Sequence, residues 1–222
     1  MDPNRQQWNQ GQQKLRRALS SYDHQKAIDL FLIQHATVHS SKMSKSDVWS
    51  FEDEILNDMA EENIRQIPRH GEHSIAWIIF HIARIEDITM NMLVAGTPQL
   101  FKEGDWAKKM KVAIIHSANK MEDGGVASLS SQVDIDALRT YRQAVGRRTH
   151  AIVRKLKPEE LNQKVDASRL QKVIDEGAVI PEAIEIVNYW SRRTIAGLLL
   201  MPPTRHNFLH LNEALRIKQG LQ

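Results

Sequence analysis

Ser74-Ile-Ala-Trp-Ile-Ile-Phe-His-Ile-Ala-Arg-Ile-Glu-Asp87 is the stretch that decides the fold. At roughly 100° of turn per residue, Ser74, Trp77, Ile78, His81, Ile85, Ile88 and Met92 line one stripe, while Asp87 and Asn91 face elsewhere. That periodicity predicts an amphipathic helix over about 73–94, stopped by Gly96 and Pro98. No segment of the chain reads as a sheet strand.

Working outward, the same period returns at 24–42, with Ile28, Phe31, Leu32, His35 and His39 on one side, and at 135–156, through Leu138, Tyr141, Val145, Thr149, Ile152 and Leu156. A further helix opens at Pro181 and runs toward Leu200, and Pro202-Pro203 separates it from a last helix over about 203–219. Between the second and third long patterns, residues 96–133 carry Gly96, Pro98, Gly104 and Gly124-Gly125, which reads as a long crossover with a short helix near 105–110. The expected fold is all-α: a four-helix bundle of up-down-down-up type, built from 24–42, 73–94, 135–156 and 203–219, with short extra helices. One domain is expected over 1–222, with the first 20 residues, rich in Gln, Asn and Arg, as a loose arm.

Composition narrows the chemistry. With 222 residues, 41% of them hydrophobic, the chain is long enough for a full core. The absence of cysteine excludes disulfides, thiolate catalysis by the protein and every cysteine-ligated metal, so a metal would rest on His, Asp and Glu. The net charge is only +3 and its Lys and Arg residues are dispersed, which argues against a nucleic-acid footprint. The polar opening residues and the shortness of the apolar stretches 75–85 and 195–201 give the expectation of a soluble, cytoplasmic protein without a membrane partner.

Histidines supply the candidate ligands. His206 and His210 stand four residues apart in Arg205-His-Asn-Phe-Leu-His-Leu-Asn-Glu213, and His81 is centred on the stripe quoted above. Ten histidines give about half of one such i,i+4 pair by chance, so the spacing is informative only with its setting. On a helix His206, His210, Glu213 and Ile217 fall within about 60° of one another, which predicts that both imidazoles point inward. Three neutral imidazoles from two helices can complete an open metal site, with one position left for water. Glu213 is placed to accept the second ring N–H of a ligating imidazole or to act as a base toward bound water. Arg84, three residues after His81, is placed to steady an anion beside the metal. His35 and His39 also face inward, as pocket residues or an extra ligand.

Ser74 to Asp87, followed over a hundred residues later by Thr204-Arg-His-Asn-Phe-Leu-His-Leu-Asn-Glu213, resembles the DinB-like superfamily, which includes YfiT-type metal-dependent hydrolases. The likeness covers roughly 20–219, and its motif of one His on the second bundle helix and His-x-x-x-His on the fourth falls on His81, His206 and His210. The resemblance implies a bundle with a long connection between helices 2 and 3 and a nickel or zinc ion on three histidines, with water completing the shell. It also implies transferases and isomerases that use a low-molecular-weight thiol. The segments 96–133 and 157–181 exceed a minimal member, so the motif says nothing of their contacts.

The functional expectation is a metal-dependent enzyme acting on a small molecule, in which a divalent ion lowers the pKa of bound water or thiol. Thiol delivery gives a transferase or isomerase and hydroxide delivery a hydrolase. The alternative is a small-molecule-binding or stress-related bundle whose metal is structural or vestigial. A homodimer is compatible with a broad apolar bundle face.

Overall fold

The computed structural model describes residues 2–21, 23–45, 47–69 and 73–221, and among these it is an all-α bundle with a single isolated β-bridge, Lys164 to Thr194, and no strand. Six helices position everything discussed below. They are α1 (Pro3–Leu19), α2 (His24–Ala36), α3 (Ile75–Asp87), α4 (Ile135–Val153), α5 (Ile184–Ser191) and α6 (Asn207–Gly220). None of the described helices is long and apolar enough to cross a membrane.

The quoted stretch is the axis of the bundle. Ser74 caps α3 by accepting the Trp77 N–H at 3.0 Å, satisfying one of the free donors of the first turn. Every residue of α3 is buried, including Arg84, Glu86 and Asp87, so the one-sided stripe expected from its periodicity is instead a helix enclosed on all sides. The helix runs on into a π-helical stretch, Ile88–Ala95, and ends at Gly96, whose φ of +68° is the left-handed cap that glycine accommodates. On one side α3 packs on α4, and on another it packs on α6.

Three boundaries differ from the sequence reading, the first being that the helix expected from Pro181 toward Leu200 stops at Ser191 and a separate one runs over Ile195–Leu199. Helix α2 ends at Ala36, and His39 lies beyond it in a turn held by the His39 N–H on Ala36 O, because the chain bends there to reach Phe51. At the other end, the turn containing Pro202-Pro203 is π-helical, Met201–His206, and feeds straight into α6. Such π-helical turns are frequent at functional sites, and this one carries His206.

Residues 2–20 do not form the loose arm expected of the N-terminal segment. Asp2 accepts the N–H groups of Asn4 and Arg5 and Pro3 opens the first turn, both of which favour a helix start. Trp8 then stacks flat on Phe208 of α6, with centroids 3.7 Å apart. The Gln12 amide donates to Leu200 O and Thr204 Oγ1, and the Gln34 amide donates to Trp8 O. Amide composition had suggested solvation, yet these amides close bonds inside the bundle.

The crossover of 96–133 contains short helices at Leu100–Glu103, Trp106–Lys109 and Asp123–Gln132. Arg84 staples it to α3: its Nη2 donates to Gln99 Oε1 and to Ile115 O, both at 2.6 Å, and its Nη1 to Tyr141 OH at 3.1 Å and Asp87 Oδ2 at 3.3 Å. The guanidinium also lies over the Phe101 ring at 3.9 Å. With both terminal nitrogens of this fully buried guanidinium committed to the crossover, Tyr141 and Asp87, the role expected for Arg84 beside a metal is corrected to that of an internal clamp.

Candidate metal centre

His81, His206 and His210 each bring one ring nitrogen within 4.8 Å of the other two. Their ring centroids form a triangle with sides of 5.0, 4.9 and 4.6 Å. Helix α3 supplies the first from its buried length, and the junction between the π-helical turn and α6 supplies the other two. The core-facing side of α6 is made by Asn207, Phe208, Leu211 and Ala214, while His206, His210 and Glu213 are half-buried on its shoulder. The inward stripe expected from the sequence therefore sits at the rim of the core, where small molecules can reach it.

Hydrogen bonds determine which nitrogen carries a lone pair in two of the three rings, His81 and His210. His81 Nδ1 stands 2.7 Å from Ser117 O, a carbonyl that can only accept, so Nδ1 holds the proton and Nε2 is bare. Bare Nε2 faces His206 Nε2 at 3.2 Å. His210 Nδ1 donates to Glu213 Oε2 at 2.9 Å, which leaves its Nε2 bare as well. His206 Nδ1 is buried without a hydrogen-bond partner among the described residues. Burial, with His210 nearby, lowers His81 to about 3, and burial with His81 and His210 drives His206 well below the ordinary histidine value. Neutral imidazoles with converging ring nitrogens, a backing carboxylate and no thiolate form a donor set that suits a divalent metal ion.

Glu213 has a second donor that the sequence reading missed. His73 Nδ1 donates to Glu213 Oε1 at 3.1 Å, so each carboxylate oxygen accepts from one imidazole. Burial works to raise the Glu213 carboxyl, but hydrogen bonds from His210 and His73 hold it at about 2. Trp77 lies between His73 and His81, stacked on both with centroids 3.6 and 4.8 Å away. The spacing of His73, Trp77 and His81 at steps of four was the available signal, but the partner Glu213 lies 140 residues away.

A second group, His35, His39 and Glu86, also brings ligand atoms within 4.8 Å of one another, but deep in the bundle. Here the imidazoles converge on a carboxylate. His35 Nε2 lies 2.8 Å from Glu86 Oε1 and His39 Nε2 lies 2.9 Å from Glu86 Oε2. Thr149 Oγ1 donates to Oε1 at 2.7 Å and Asn207 Nδ2 to Oε2 at 2.8 Å, so all four close contacts of Glu86 are hydrogen bonds. Burial lowers His39 well below its ordinary value, while Glu86, which burial works to raise, is held well below the usual carboxylate range by His39 and His35. The structure thus places His35 and His39 together, apart from the His81 triad and facing Glu86, a partner the sequence reading had not singled out.

Two openings flank the triad. His206 forms part of the wall of a cavity of about 320 Å³ with Ile85, Asn119, Ile186, Tyr189 and Trp190. His210 and Glu213 border a second opening, about 520 Å³, with Arg5 and Arg216 at its edge. The family model of the DinB superfamily matches residues 48–212, a span that includes all three triad histidines and Glu86. No curated protein matches the chain.

Proposed function

The chain belongs to the DinB superfamily, and on that footing we propose that it is a metal-dependent transferase joining a low-molecular-weight thiol to a small electrophilic molecule. His81, His206 and His210 hold the ion, zinc or nickel. When bound, the ion supplies Lewis acidity that makes thiolate available near neutral pH. The protein's own residues set the conditions. Ser117 O and Glu213 fix the tautomers of His81 and His210, so both rings meet the ion through Nε2. With both oxygens of Glu213 already accepting from imidazoles, the carboxylate positions His210 rather than removing a proton. Trp77 packs against His81 and shields that ligand from water on one side.

The observation that carries the transferase reading is the pair of openings. One substrate can approach His206 through the mostly apolar cavity, while the opening beside His210 carries Arg216, suited to an anionic thiol, together with Arg5, which is paired with Glu54. A hydrolase would need only one organic substrate at the same ion.

The test is to load the full-length protein with zinc or nickel and follow loss of free thiol with an electrophilic acceptor, alongside acid release from ester and amide panels. Thiol consumption that disappears in His206→Ala and His210→Ala is the expected result. Acid release without any thiol requirement would make it a hydrolase, and tight binding of small molecules with neither reaction would make it a binding protein.

A further inference from the structure

The wall of the cavity beside His206 contains a loop whose conformation is determined from several directions. Ser117 N–H donates to Ala178 O at 2.9 Å, and Ala118 N–H donates to His116 Nδ1 at 3.0 Å. Ser117 O receives the His81 Nδ1 proton. Ala118 and Lys120, on either side of Asn119, have φ of +66° and +55°, left-handed backbone that residues with a side chain rarely adopt. Strained conformations of this kind persist where surrounding contacts over-determine them, and they gather at sites that bind or react. The same four residues therefore fix a triad ligand and present the Asn119 side chain to the cavity.

Asn119 reaches the cavity with one half of its amide already used. Ser117 Oγ donates to Asn119 Oδ1 at 2.7 Å, which leaves Nδ2, a pure donor, unspent among the described residues. Ile186, Tyr189 and Trp190 form an apolar and aromatic floor opposite, and Glu185 stands exposed at the mouth. Ligand sites commonly combine such an apolar lining with a few directed polar groups that set orientation.

Building on the metal-site reading above, we propose that this cavity takes the electrophilic substrate. The substrate is a neutral or cationic molecule with an apolar or aromatic body, and it bears a hydrogen-bond-accepting oxygen next to its reacting atom. Asn119 is the specificity residue that engages that oxygen. Glu185 disfavours an anionic tail at the mouth. Asn119 acts on the substrate directly and bonds to Ser117 Oγ rather than to any of the three histidines.

The test uses metal-loaded full-length protein and two probes that share a chelating head, acetohydroxamate and benzohydroxamate, titrated by calorimetry with metal content measured in the same samples. Benzohydroxamate is expected to bind about tenfold more tightly than acetohydroxamate, from burial of its ring. In Ile186→Glu that gap should close to about twofold or less, because a charge then faces the ring. Asn119→Asp, or Asn119→Ala if aspartate unseats the loop, should weaken both probes by roughly tenfold with metal content unchanged. Para-aminomethyl benzohydroxamate should bind better than its para-carboxy counterpart, and Glu185→Gln should narrow that preference.

Equal affinity for the two hydroxamates in metal-loaded wild type, or a gap that Ile186→Glu leaves intact, overturns the pocket assignment while leaving the metal site standing. Undiminished binding in both Asn119 variants overturns the role of that residue. Protein that takes up no metal and binds neither probe overturns the metal reading and this proposal with it.

Discussion

Two clusters of histidine and glutamate lie in the same bundle, and they differ in what the imidazoles face. At the rim, His81, His206 and His210 turn ring nitrogens toward one another, and their carboxylate, Glu213, stands behind His210. In the depth, His35 and His39 turn their Nε2 atoms onto Glu86, and Thr149 and Asn207 occupy the remaining contacts of that carboxylate. Both clusters have the residue types and spacing of a metal site, yet only at the rim do the ring nitrogens face one another rather than a carboxylate. The deep cluster is a buried carboxylate clamp that ties α2, α3, α4 and α6 together. Arg142 does similar work nearby, donating to Glu52 Oε2 and to Val38 O. The lesson is that ligand identity and separation are not sufficient: the atoms that the second nitrogen and the carboxylate engage decide between ligand and clamp.

The largest expected effect separates the two clusters by stability. Glu86→Leu strands His35, His39, Thr149 and Asn207 without their acceptor and should cost about 3–5 kcal/mol in urea unfolding. In metal-free protein the double change His206→Ala and His210→Ala should stay within about 1 kcal/mol of wild type, because half-buried rings at the rim leave no stranded charge. A Glu86→Leu protein as stable as wild type would break the comparison from the deep side.

Acid should expose a contribution from each cluster in turn. His81 at the rim and His150, packed on His35 in the depth, are both lowered by burial to about 3 from an ordinary value of 6.5. Between those values the unfolded chain binds protons that the folded chain refuses, so stability rises with pH and is lost as pH falls below 6.5. Each histidine contributes a slope of up to about 1.4 kcal/mol per pH unit. Urea midpoints of metal-free protein measured across that window should fall on acidification, and His150→Phe should remove the deep share of the slope. A stability profile flat from neutral to acid would contradict the buried, neutral state of these rings.

Smaller effects should follow from the residues behind the rim. Glu213→Gln keeps the shape but weakens the acceptor for His210 and His73, and metal affinity should fall by roughly 10–100-fold, read by chelator competition. His73→Ala reaches the triad only indirectly, through Glu213 and through Trp77, and should cost metal affinity a few-fold at most, within about 1 kcal/mol. An affinity loss in His73→Ala larger than in Glu213→Gln would mean that the chain of positioning runs differently.

The all-α bundle was legible because helical spacing recurs along the chain, and the convergence of His81, His206 and His210 because their spacing follows the helical turns that carry them. What escaped the sequence reading has a common physical cause. Arg84, Glu86 and Asp87 are charged residues on a helix with no solvent face, with hydrogen-bond partners far away in the chain such as Tyr141, Ile115, His35 and Thr149, and a pattern of charge on one helix reads as exposure. Gln12 is a buried amide that closes bonds to Leu200 and Thr204, yet it counts as polar in the composition of residues 1–20, which pointed to a solvated arm. His73 and Asn119 owe their roles to Glu213 and to a loop conformation, neither of which local sequence can reveal. Helix α6 shows the subtler case: its histidines share a stripe, but that stripe lies beside the apolar one rather than on it.

The most direct test of the account is anomalous X-ray diffraction from crystals of protein loaded with zinc or nickel. The expected result is one anomalous peak about 2.0–2.1 Å from a ring nitrogen of each of His81, His206 and His210, lost in His206→Ala. A peak among His35, His39 and Glu86 instead, or none in protein shown to be folded and exposed to metal, would contradict it.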